Sequence, residues 1–123
     1  KGYIMRNQPK YSFFKNTSYA LNGLKDLLTT ETSFKIEIIL AFILTPIIII
    51  LDTSLVYKLL MFISLMMVLI AEVTNSAIER AVDLVTLEHH PMAGRAKDVG
   101  STIVFLSIIM CVVVWGFILL DIF

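Results

Sequence analysis

Charge is what this sequence has least of. Only 16% of its 123 residues are Asp, Glu, Lys or Arg, while 58% are hydrophobic. Soluble domains carry nearer a quarter charged, and a chain this short lacks the volume to hide so much apolar side chain from water. A soluble globule is therefore excluded, and lipid must be part of the solvent. Cysteine is nearly absent too, and the lone Cys111 cannot close an internal disulfide. Net charge is zero, so no acidic or basic bias names a partner. No internal repeat, low-complexity segment or cleavable signal peptide is visible, since the first long stretch is polar and basic. Residues 1–10 are polar and irregular, and poor order is expected there.

Long apolar runs are what is present. Three approach the length of roughly 20 residues that a helix needs to cross a bilayer. The first runs over about 34–51, with Glu37 near its start and Pro46 inside, a residue neighbouring helices tolerate in lipid. The second begins near Leu55, is largely apolar to Ala71 and continues in helix-compatible sequence to Val85. The third covers about 99–121, opened by Gly100 and Ser101 and with Trp115 toward its far end. Asp52-Thr53-Ser54 reads as a turn between the first two, and 86–98 as a loop before the third. Ahead of the spans, over about 10–30, Phe14, Leu21, Leu24 and Leu28 recur at helical spacing beside Lys10, Lys15 and Lys25. That pattern predicts an amphipathic helix lying in the membrane interface. The expected fold is all-α: one surface helix and three transmembrane helices.

Basic residues orient the chain. Nine of the ten lie at or before Lys35 or between Arg80 and Lys97, with Lys58 the exception. By the positive-inside rule the N-terminus and the 86–98 loop face the cytoplasm.

The chemistry gathers at that end. Glu72, Asn75, Glu79 and Asp83 are three, four and four residues apart, which places them on one helix face. Glu72 follows a largely apolar stretch and lies at or just inside the membrane boundary. A carboxylate deep in the bilayer costs on the order of 3 kcal/mol, so such a residue is a functional candidate. A bundle glued by paired polar groups is the competing reading, but three acids on one stripe repel unless a cation or basic partner joins them. Oxygen-only ligands suit Mg²⁺, commonly held by one or two carboxylates plus substrate phosphates. Glu31, at the end of the surface helix, offers another carboxylate. The loop adds Glu88, His89, His90, Arg95, Lys97 and Asp98; its cations serve either as headgroup anchors or as phosphate holders. Zinc at the adjacent histidines lacks a supporting cysteine or HExxH pattern. No P-loop and no protein-kinase signature is present. The residues by themselves leave a cation-binding membrane protein, enzyme or carrier.

The run Glu72-Val-Thr-Asn75-Ser-Ala-Ile-Glu79-Arg-Ala-Val-Asp83, then Gly94-Arg-Ala-Lys97-Asp98-Val-Gly100-Ser101, resembles the signature of the prokaryotic diacylglycerol kinases. Gly23-Leu24-Lys25 and Glu31-Thr-Ser-Phe34-Lys35-Ile-Glu37 match upstream, and the resemblance covers about 15–123. It implies a homotrimer in the bacterial inner membrane, with active sites at the cytoplasmic surface, that phosphorylates diacylglycerol to phosphatidic acid with ATP. It implies Glu72 as catalytic base, and Glu31 and Glu79 as ligands of the divalent metal, Mg²⁺, on the ATP phosphates. Lys15, Tyr19, Glu31, Glu79, Glu88, His90, Lys97 and Asp98 are the implied ATP-binding residues, with Asn75 and Asp83 in support. Glu37, Glu72, Ser101 and Trp115 are implied on the lipid side. Undecaprenol kinases share the first block; the second is more like the diacylglycerol-specific branch. Ser12 stands where the family often has a basic residue one turn before Lys15, a role left to Lys10. The remaining alternatives are a cation- or proton-coupled transporter built on Glu72, which has no need of Glu31 or the 94–101 block, and a non-catalytic assembly subunit, which gives the acidic stripe no purpose.

Overall fold

The computed structural model describes residues 10–123, so the expectation of poor order at 1–10 lies, apart from Lys10, outside the described residues. Four helices follow one another: α1 (Phe13–Thr30), α2 (Thr32–Ile50), α3 (Leu55–Val85) and α4 (Pro91–Ile122). The described residues form no strand. The last three helices are long and apolar enough to cross a membrane. At about 1.5 Å per residue, the 31 residues of α3 extend about 46 Å, well beyond a hydrocarbon core of about 30 Å. Its acidic end therefore stands out of the apolar layer.

Each boundary has a local cause. Ser12 caps α1, its hydroxyl accepting from the Lys15 amide at 3.4 Å. This gives the departure at Ser12 a structural role, while Lys10 sits exposed before the helix. Ser54 caps α3 in the same way, accepting from the Tyr57 amide at 3.2 Å. Pro46 lies within an unbroken α2, where the Thr45 hydroxyl donates to the Ala41 carbonyl at 2.7 Å.

Two boundaries differ from the sequence reading. The 86–98 segment is not all loop, because α4 begins at Pro91 with His90 as its N-cap. Proline has no N–H to lose in a first turn, and its ring presets the helical φ. Met92 to Asp98 are too polar to register as membrane span, yet hydropathy reports contact with lipid and not helicity. The surface helix and first span are also nearly continuous, separated by the single non-helical residue Glu31.

α3 and α4 pack antiparallel along most of their length in one register. Lys97 pairs with Asp83 at 2.7 Å, Asn75 meets Gly100, and Ser64 donates to Cys111 Sγ at 3.7 Å. Farther along, the Trp115 indole N–H donates to the Met61 carbonyl at 3.2 Å, and the Tyr57 hydroxyl to Asp121 at 2.9 Å. Ile48, Met61 and Ile118 form a core at that far end. A second core joins Leu27 of α1, Phe34 of α2 and Leu69 of α3. Leu27 is the one buried residue of α1, and Phe14 remains 82% exposed. An apolar face left this open needs lipid or another chain against it, as a helix lying in the interface requires.

Candidate active site

Glu31 owes its position to being a break. It ends α1, its amide donating to the Leu27 carbonyl at 2.9 Å, and it opens α2, its carbonyl accepting from the Lys35 amide at 3.2 Å. Its carboxylate makes no capping bond. The backbone is thus satisfied in both directions while the side chain is left for other work. That side chain turns to α3, where the Arg80 guanidinium donates to Glu31 Oε1 at 3.3 Å. The same guanidinium pairs with Asp26 and donates to the Thr30 hydroxyl at 3.1 Å. Arg80 follows Glu79 directly in sequence, so this fork holds Glu31 at the level of Glu79 on α3, against the adjoining flank of that helix.

One helical turn or more toward the apolar layer, Glu72 and Glu37 face each other across α2 and α3, carboxyl against carboxyl. Oε2 of Glu37 is enclosed without a hydrogen-bond partner among the described residues. An apolar groove of about 190 Å³ runs from Glu37, lined by Leu40, Leu65, Leu69, Ile108 and Cys111. Asn75 Oδ1 is likewise buried and unpartnered among the described residues, pressed against the backbone of Gly100.

At the other end of the stripe, Lys97 and Asp83 pair across α3 and α4, both close to half exposed. A polar cleft of about 210 Å³ opens beside them, lined by Glu88, His89, His90, Gly94 and Lys97. The Nδ1 of His90 accepts from the Met92 amide at 3.1 Å, which orients the ring as helix cap.

Polar groups at the boundary, a groove into the apolar layer and a cleft facing water make a site open to two phases. A family model described as prokaryotic diacylglycerol kinase matches residues 18–119. The chain belongs to that family. It is 41% identical over 104 residues to a diacylglycerol kinase of Haemophilus influenzae, covering 85% of this chain and 88% of that one. A diacylglycerol kinase of Escherichia coli K12 is 37% identical over 101 residues, 82% of this chain and 83% of its own. One from Pseudomonas aeruginosa is 38% identical over 104 residues, 85% of each chain. Membership makes the protein an enzyme, a lipid kinase with ATP as co-substrate.

Within one chain, the structure of this lipid kinase groups the sequence candidates unevenly. Glu37 with Glu72, and Glu88, His90 and Lys97 around the cleft, are brought together. Asp98 and Ser101 are exposed on α4 close to that end, and Lys15 and Tyr19 are exposed on α1. Trp115 is not beside Glu72. Its indole is bonded to Met61, eleven residues from Glu72, or about 16 Å along the helix. Only a ligand with a long tail spans both. Among the described residues no three His, Cys, Asp or Glu side chains converge as a ready-made metal cluster. Asp26, Thr30 and Arg80 were not among the site residues expected from the sequence. Asp26 and Thr30 lie one turn apart beside Glu31, but nothing in sequence joins them to a residue some fifty positions away.

Proposed function

We propose that the enzyme transfers the γ-phosphoryl group of ATP to the hydroxyl of diacylglycerol, giving phosphatidic acid, at the cytoplasmic face of the bacterial inner membrane. The observation that carries this reading is the placement of Glu72. It is partly buried where the acidic stripe meets the apolar layer, beside Glu37 and its groove. A lipid hydroxyl arrives from the bilayer while ATP arrives from water, so the proton acceptor must stand at their boundary. Glu72 takes the hydroxyl proton as general base. Glu37 and Ser101 position the glycerol end, and the acyl chains run along the apolar flank toward Trp115.

The residues present fit a divalent metal. Glu31 and Glu79 are oxygen donors, and Glu31 has a carboxylate free of capping duties. Two carboxylates with phosphate oxygens completing the shell is how Mg²⁺ is commonly held. Bound there, the ion would neutralise charge on the transferring phosphates. Lys97 turns from Asp83 to the phosphates, and Glu88, His90 and Asp98 receive the nucleoside end, with Lys15 and Tyr19 reaching it from α1. Asn75 and Asp83 hold the α3 side of this arrangement.

One chain leaves Glu72 and Glu79 only partly enclosed, and charge facing lipid is costly. A homotrimer supplies the missing walls. Cross-linking in native membranes should give a ladder that stops at three; one that stops at a single chain removes the trimer. The substrate is tested by offering diacylglycerol and undecaprenol with MgATP to the purified protein in detergent. Preferred phosphorylation of diacylglycerol supports the reading, and preferred undecaprenol makes the protein the other kind of kinase.

A further inference from the structure

We infer that Arg80 is a positioning residue: its guanidinium clamps the last turn of α1 onto α3 and so presents Glu31 beside Glu79. This rests on the reading of Glu31 and Glu79 as metal ligands. The clamp has three acceptors on α1 and its break. Nη1 takes Asp26, while Nη2 takes the Thr30 hydroxyl at 3.1 Å and Glu31 Oε1 at 3.3 Å. The Thr30 hydroxyl spends its own proton on the Asp26 carbonyl at 2.7 Å, which leaves its lone pairs to accept from arginine. Leu27, one residue after Asp26, is buried against Phe34 and Leu69. The last turn is thus gripped through an apolar contact and through a charged fork.

Glu31 is the most distant of the three acceptors. When its carboxylate moves to a metal, Asp26 and Thr30 still hold α1 in place. Arginine suits this because a planar fork serves separate acceptors in fixed directions, which a lysine ammonium does not. Arg80 and Asp26 are 44% and 49% exposed, so their pairing adds little to stability. What the clamp contributes is the orientation of Glu31.

The test uses the full chain in its purified oligomeric form, with Cys111→Ala and a nitroxide at Asn22→Cys, an exposed site one turn before Asp26. Spin-label motion, the Mg²⁺ concentration needed for ATP binding, and thermal stability are read together. Arg80→Ala should free the label and raise the Mg²⁺ requirement about 10- to 100-fold, the loss typical when a group orienting a ligand is removed. Thermal stability should barely change. Arg80→Lys should recover only part of the effect. Asp26→Arg combined with Arg80→Asp should restore the restrained label, because the pair is re-formed with its charges exchanged. Unchanged label motion in Arg80→Ala overturns the proposal, and so does a freed label with an unchanged Mg²⁺ requirement. Glu31→Gln is measured alongside. If its Mg²⁺ requirement is normal, the metal assignment itself is overturned, a failure that this variant tells apart from failure of the clamp.

Discussion

Asn75 of α3 occupies the space where Gly100 of α4 would carry a side chain. A Cβ built on Gly100 meets Asn75 Oδ1 far inside any real contact, and Ile78 at 3.4 Å. The two helices approach this closely at the level of the candidate site because one of them presents bare backbone. Both residues belong to the motif blocks that carried the family resemblance, and the contact shows why the blocks belong together: each is half of one packing unit.

Gly100→Ala tests that unit. Alanine gains about 1 kcal/mol over glycine in helix propensity. Overpacking costs about 1–3 kcal/mol, and the Asn75 Oδ1 that meets the new methyl is itself enclosed. The clash should win, lowering the thermal stability of the detergent-solubilised protein. Adding Asn75→Ala removes the obstruction, so Gly100→Ala in that background should become neutral or stabilising. A stabilising Gly100→Ala in the parent chain means that Asn75 swings aside freely.

Much of the architecture was legible because lipid imposes a simple rule. Apolar runs near 20 residues became helices α2, α3 and α4, and the 72–83 stripe fell on one face of α3. Pro91 to Asp98 escaped notice because a helix leaving the membrane keeps its hydrogen bonds but loses its apolar signature. The arrangement of the candidate residues was legible where it is local, as in the Glu72–Asp83 spacing along α3. It was illegible where elements meet. Nothing in the sequence pairs Arg80 with Asp26, sets Glu37 against Glu72, or binds the Trp115 indole to Met61, since those partners depend on helix register and rotation.

Lys97 offers a clean separation of function from stability. It and Asp83 are 40% and 46% exposed, so their ion pair adds little to stability. If Lys97 meets the transferring phosphates, Lys97→Met removes a preorganised cation and should lower kcat/KM by about 10²-fold or more. Unfolding and turnover measured on one preparation decide this. Equal damage to both would make the residue structural.

The stripe predicts different outcomes on two faces of α3. Glu79→Ala should raise the Mg²⁺ requirement as well as slow turnover, because it removes one of the two carboxylates proposed as metal ligands. Val73→Ala, at a residue 40% exposed and turned away from the stripe, should leave activity near that of the parent. A Mg²⁺ titration of both variants makes the comparison. Equal losses without a shift in Mg²⁺ dependence would reduce the stripe to packing.

Glu72→Gln is the most direct test of the proposed chemistry. The amide keeps the shape and most of the hydrogen-bonding capacity of the carboxylate but cannot accept the hydroxyl proton. General-base catalysis is typically worth about 10² to 10⁴-fold, and lipid phosphorylation should fall by that order. MgATP binding should persist, because the metal is assigned to Glu31 and Glu79. The fold should persist as well, since a neutral amide is less costly than a carboxylate near the bilayer. Glu37 makes the result informative in another way. It faces Glu72 directly and is a carboxylate able to take over as base. Turnover that stays near normal in Glu72→Gln but collapses in Glu37→Gln moves the base to Glu37. Turnover that survives both changes removes general-base catalysis by either residue. Turnover lost together with MgATP binding makes Glu72 a metal ligand, and the roles along α3 shift by one helical step.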